Sequence, residues 1–110
     1  MRARNVFLRL LRILLVVLIL GVGAFVLWAN LPAEAMPEAI QALESDSSVH
    51  VSTDPWVVFE PQRSSPQVGL VLYPGGRIDP RAYASAMRAF ASQGVLAVIV
   101  PMPLNLAVFD

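Results

Sequence analysis

Residues Val68–Asp79 read VGLVLYPGGRID. The opening run, Val68-Gly69-Leu70-Val71-Leu72-Tyr73, is short, apolar and β-branched, the pattern of a strand buried on both faces. It enters Pro74-Gly75-Gly76, where two glycines permit positive φ and let a ligand come close to the backbone. Asp79-Pro80 then supplies an N-cap side chain and a proline suited to the first helical position. The pattern predicts a helix over Pro80–Gln93, stopped by Gly94, and a second buried strand over Val95–Val100. Strand, glycine turn, helix and strand make a βαβ unit with a right-handed crossover. The glycine turn lies at the carboxyl end of its strand, where open α/β sheets bind ligands.

Upstream, Val49, Val51 and Thr53 alternate with His50 and Ser52, the period of a half-buried strand. Asp54-Pro55 signals a turn, and Trp56-Val57-Val58-Phe59 predicts a second strand closed by Glu60-Pro61. These two runs are expected to pair antiparallel at a sheet edge, with Gln62–Gln67 a surface loop. Along the helix, Tyr83, Met87, Phe90 and Ala91 recur at three- and four-residue spacing as one apolar stripe, leaving Arg81, Arg88 and Ser92 toward water. Pro101-Met102-Pro103 ends the last strand in a loop. Leu104–Asp110 is apolar and has no terminator, so the chain reads as truncated.

The segment Gly69–Pro103, about a third of the chain, resembles the third strand, first helix and fourth strand of the α/β-hydrolase superfamily, in particular its dienelactone-hydrolase-like branch. The family ends this strand in a His-Gly-Gly-like turn whose backbone N–H groups form part of the oxyanion hole. Here Pro74-Gly75-Gly76 fills that place, with proline where histidine is usual. The resemblance implies an α/β fold: an N-terminal transmembrane helix, then the first part of an α/β-hydrolase sheet, incomplete, with the fourth strand between the second and third. It implies ester or related acyl hydrolysis by a Ser–His–acid triad on a small ester-like substrate. Gly75, Gly76 and Arg77 become the candidate oxyanion donors, Gly76 or Arg77 being nearest the family position. The plainer reading makes Gly75-Gly76 only a tight strand-to-helix turn. Tyr73 and Asp79 are expected to pack and cap.

The rest of that machinery is missing from these residues. No Gly-x-Ser-x-Gly occurs, so the nucleophile elbow is absent and the 110 residues alone are expected to be inactive. There is no P-loop, HExxH or GxGxxG, and the acidic residues are scattered singly, so neither metal nor cofactor is expected. The one histidine, His50, falls on an alternating strand and reads as solvated. Cysteine is absent, which excludes disulfides, Cys-ligated zinc and thiol catalysis. Lysine is absent too, with no basic patch interleaved with aromatics, so nucleic acid is not an expected partner. The alternative from another class is a small membrane-anchored, non-catalytic α/β module that binds a partner or an anion at the turn and helix N-terminus. A dinucleotide-binding fold fits less well, lacking the three-glycine fingerprint.

Apolar residues make up 56% of the chain, more than a soluble domain needs, which points to a membrane segment. That segment is Ile13–Ala29, ILLVVLILGVGAFVLWA, without a charge and long enough to reach across a bilayer core when Val6–Arg12 is added. Arg2, Arg4, Arg9 and Arg12 precede it and place the N-terminus in the cytoplasm, the rest of the chain outside. Trp28 marks the far interface. A cleaved signal peptide is the rival reading, because Ala33-Glu34-Ala35 has the small-x-small form of a cleavage site. The chain thus divides into a basic tip and anchor (1–30), a linker (31–48) with two helical turns over Pro37–Leu43 placing Ile40 and Leu43 on one side, and a truncated hydrolase domain (49–110).

Overall fold

A computed structural model describes residues 1–107. Helix α1 (Arg2–Ala29) is followed by a short helix α2 (Pro37–Gln41), strands β1 (Val49–Ser52), β2 (Val57–Pro61) and β3 (Gly69–Leu72), helix α3 (Ala84–Ser92) and strand β4 (Leu96–Ile99). The four strands form one mixed sheet in the order β1-β2-β4-β3. β1 and β2 pair antiparallel, as do β2 and β4, while β3 and β4 run parallel. A parallel pair needs a crossover, and α3 supplies it. The β4 strand sits between β2 and β3, so the architecture is a long apolar helix followed by a small mixed four-stranded sheet, with the fourth strand where the sequence resemblance expects it.

One sheet face carries the core. The register lines up Val51, Phe59, Ala97 and Leu70 across the four strands, and Val57, Ile99 and Leu72 across three. Val49, Phe59, Ala97 and Ile99 are fully buried there. Ala84, Met87 and Ala91 of α3 close over them, at the three- and four-residue spacing of one helix face. Burying a side chain such as Phe59 or Ile99 contributes about 1.5–3 kcal/mol.

Three expectations are corrected. First, β3 is not buried on both faces: Leu70 and Leu72 meet the core, but Val71 remains 53% exposed. A covering helix lies on one face alone among the described residues, so the apolar run exceeds what that cover can bury. Second, Phe90 leaves the buried stripe, because its direction falls at the edge of the face set by Ala84, Met87 and Ala91. Third, Arg88 does not point into water. Its guanidinium donates to Ala42 O at 3.0 Å and Glu44 O at 2.6 Å, and pairs with the Asp46 carboxylate.

That contact ties the segment 31–48 to α3. Ala42 joins the core cluster and Leu43 packs beside it, whereas Ile40 is left 39% exposed. The helix after the glycine turn begins as a 3₁₀ turn over Pro80–Tyr83 before becoming α-helical. Asp79 caps it as expected, accepting from Arg81 N at 2.9 Å. Gly94 ends the segment at φ 93°, a left-handed conformation that suits glycine.

Helix α1 is 28 residues long, with mean hydropathy 2.9 over its most apolar window, and that window is unburied. By length and composition it is a candidate membrane span. The molecule is 78 Å long, of which α1 at 1.5 Å per residue accounts for about 42 Å.

Candidate functional site

The site is the turn that joins β3 to the helical segment. Its position is fixed from the sheet side: Leu72 pairs with Ile99, and Val100 N donates to Leu72 O at 3.0 Å. Tyr73 then turns outward, Pro74 is buried, Gly75 is half-buried and Gly76 is exposed.

The glycines serve closeness and not handedness. Neither Gly75 nor Gly76 adopts positive φ, which corrects the expectation from sequence; Arg77 does, at φ 54°. A β-carbon on Gly75 would lie 3.1 Å from the Tyr83 hydroxyl, and one on Gly76 would lie 3.3 Å from Leu106 Cδ2. Both positions are therefore pressed against neighbours on either side of the turn.

The three candidate donors face different partners. Gly75 N–H donates to the Tyr83 hydroxyl oxygen at 3.2 Å. Arg77 N–H donates to the Asn105 carbonyl at 2.8 Å. Gly76 N–H meets no acceptor among the described residues. Two of the three N–H groups are thus engaged within the chain. Chemically, the turn offers backbone N–H groups to oxygen acceptors, a hydroxyl at Gly75 and an amide carbonyl at Arg77.

Arg77 holds the turn in place by its side chain as well. Its Nε donates to Trp28 O at 3.1 Å and its Nη2 to Leu31 O at 2.9 Å. Its Cζ lies 4.2 Å from the centroid of the Trp28 ring, a cation–π contact. The carbonyls at a helix C-terminus lack intrahelical donors, and a cation there is favoured by the helix dipole. Asn105 Nδ2 donates to a third such carbonyl, Ala29 O, at 3.0 Å. The backbone completes the junction: Ala33 N donates to Arg77 O at 2.9 Å, and Asp79 N to Ala33 O at 3.0 Å. The left-handed backbone of Arg77 is an unfavourable conformation for a side-chain-bearing residue, and these bonds hold it.

Electrostatics at the edge of the turn come from one ion pair. The Arg81 guanidinium beside Asp79 holds that carboxyl below its ordinary range, with the Arg81 backbone N–H adding to the effect against partial burial. The same pair raises Arg81. Asp79 is thus a fixed anion that caps a helix and takes no part at the donor turn. His50 is exposed on β1, separated from β3 by two strands. Among the described residues no group of three His, Asp or Glu side chains is placed to hold a metal ion.

Sequence reasoning did not find Asn105, Leu106, the Tyr83 hydroxyl or the side-chain role of Arg77. The Arg77 contacts span 46 and 49 residues of sequence and Asn105 reaches back 76, so no local pattern signals them.

Compared with known protein families, residues 69–110 match the model described as the alpha/beta hydrolase family. The chain has no significant match among the curated proteins or the solved structures. The matched segment starts at β3, runs through the donor turn and its crossover helix, and continues past β4. With this parallel βαβ unit, the match supports an α/β-hydrolase relationship for residues 69–110.

Proposed function

We propose that this chain forms the front of a membrane-anchored serine hydrolase acting on ester or related acyl bonds, and that it supplies the oxyanion-stabilising turn. Gly76 and Arg77 are the donors to the acyl oxygen, while Gly75, whose N–H is given to the Tyr83 hydroxyl, holds the turn beside them. When a nucleophile adds to an acyl carbon, the π electrons move to the carbonyl oxygen. A preorganised N–H lowers that barrier by about 2.7–4 kcal/mol.

One observation carries this reading: the Asn105 carbonyl oxygen lies 2.8 Å from Arg77 N, within the range an oxyanion donor requires. On this reading the Asn105 oxygen stands in for the acyl oxygen of a substrate. A substrate displaces that carbonyl. Helix α1 anchors the unit in the bilayer, with the arginine-rich N-terminus cytoplasmic and the sheet outside. The nucleophile and its base belong to sequence beyond Asp110, so the 110 residues alone hydrolyse nothing.

The test is to read the coding sequence past Asp110 and to assay the purified chain. The expected results are an open frame reaching a Gly-x-Ser-x-Gly within about one further βαβ unit of some thirty residues, and no turnover of p-nitrophenyl acetate by the chain alone. A frame that stops without that motif overturns the hydrolase reading in favour of a binding module. Turnover by the 110 residues overturns the assignment of catalysis to later sequence.

A further inference from the structure

We infer that the donor turn works in the headgroup layer of the membrane and takes its acyl groups from amphiphiles held in the bilayer, not from solutes in bulk water. This deepens the hydrolase reading and rests on α1 as the membrane span. The turn is bonded to the very end of that helix. Arg77 reaches Trp28 O and Leu31 O, Asn105 reaches Ala29 O, and the backbone of Arg77 and Asp79 brackets Ala33. All of these partners lie within five residues of Trp28, so the turn is held at the C-terminal end of α1.

The side chains around the junction suit an interface. Trp28 is half exposed and stacks under the Arg77 guanidinium, pairing an indole with a cation at the level where both are favoured. Leu27 and Leu31 are mostly exposed beside it, as is Tyr73 at the entry to the turn. Ala29, between them, is fully buried, and its carbonyl accepts from Asn105 Nδ2, so the turn's neighbour is seated on the helix end. An ester carbonyl of a bilayer lipid lies at the boundary between chains and headgroups. A donor turn pinned there meets such carbonyls without extracting the molecule.

Arg77 is on this account a positioning residue: its side chain fixes the depth at which its own backbone N–H and that of Gly76 are presented. The strand β3, at about 3.3 Å per residue, separates the turn from the loop at Ser64 and Ser65. That loop is a built-in distal reference.

The experiment uses the full chain, isotope-labelled, in phosphatidylcholine nanodiscs doped with a lipid spin-labelled on its headgroup. Amide signals of Gly75, Gly76 and Arg77 are expected to lose intensity, while those of Ser64 and Ser65 keep it. Lipid spin-labelled deep in its acyl chain should bleach Val16 and Val17 of α1. Arg77→Ala should relieve the broadening at Gly75 and Gly76 while leaving β2 and β4 shifts unchanged, a result that loss of folding would not give. Undiminished signals at Gly75–Arg77 with Val16 and Val17 bleached overturn this inference and leave the hydrolase reading standing. Unbleached Val16 and Val17 overturn it together with the membrane anchor. A chain that inserts as expected but whose gene lacks a nucleophile elbow overturns the hydrolase reading and, with it, the acyl-group source inferred here.

Discussion

The two faces of the sheet have similar apolar strands and different fates. On one, Val49, Phe59, Ala97 and Ile99 are sealed by Ala84, Met87 and Ala91 of α3. On the other, the register sets Ser52, Val58, Val98 and Val71 in a row with Val71 exposed and Val58 and Val98 only partly covered. A contiguous apolar run records that a strand is built for two covers, as in α/β proteins with helices on both faces. It does not say which segment brings each cover. Here α3 brings the first because the parallel β3–β4 pair needs a crossover, and Arg88 and Asp79 fix that crossover at its side and its start.

The largest test of this contrast is Phe59→Ala. It opens a cavity under α3 and is expected to lower stability by about 3–5 kcal/mol, read from denaturant midpoints in detergent. Arg88→Ala should cost about 1–2 kcal/mol, less than a buried ion pair because the guanidinium is partly exposed. A loss near zero would mean that the cover is held by packing alone.

Asp79→Ala removes the cap at the start of the crossover and should cost about 1 kcal/mol. Its pH dependence has a definite sign. Asp79 is held below its ordinary pKa first by Arg81, and Asp46 first by the Ser48 hydroxyl, with Arg88 also contributing. Depressed carboxyls bind fewer protons in the native state, so their stabilisation is complete above about pH 4 and is lost as pH falls through the native values. Asp79→Asn and Asp46→Asn should each flatten the acid limb of the stability curve. Val71→Thr, on the open face, should change stability by less than about 0.5 kcal/mol. A loss there comparable to Phe59→Ala would show that the second face is covered.

Much of the architecture was readable because it is written in local chemistry. The βαβ unit follows from an apolar run, a glycine turn, Asp79-Pro80 and Gly94, each acting within a few residues. The β1–β2 pair follows from alternation and from the turn at Asp54-Pro55. What escaped was long-range. Arg88 looks solvent-facing on a helical wheel until the segment after α2 folds back to offer Ala42 O and Glu44 O. Arg77 looks like one more turn residue until the end of α1 and the residue Leu31 beyond it bring Trp28 O and Leu31 O to its guanidinium. The left-handed conformation moved from the glycines to Arg77 because bonds on both sides of its peptide, to Ala33 and Asn105, specify it. The three donor candidates were legible as a group, and their separate engagement was not.

The most direct measurement exchanges the backbone N–H of Gly76 for an ester oxygen, by incorporating glycolic acid at position 76, in the protein that carries the nucleophile. The side chains and the turn's contacts are kept and a single donor is removed. If Gly76 stabilises the oxyanion, kcat falls by about 10²–10³ with KM little changed. An unchanged kcat would contradict the account and leave Gly75-Gly76 as a close-packed turn between a strand and its crossover helix.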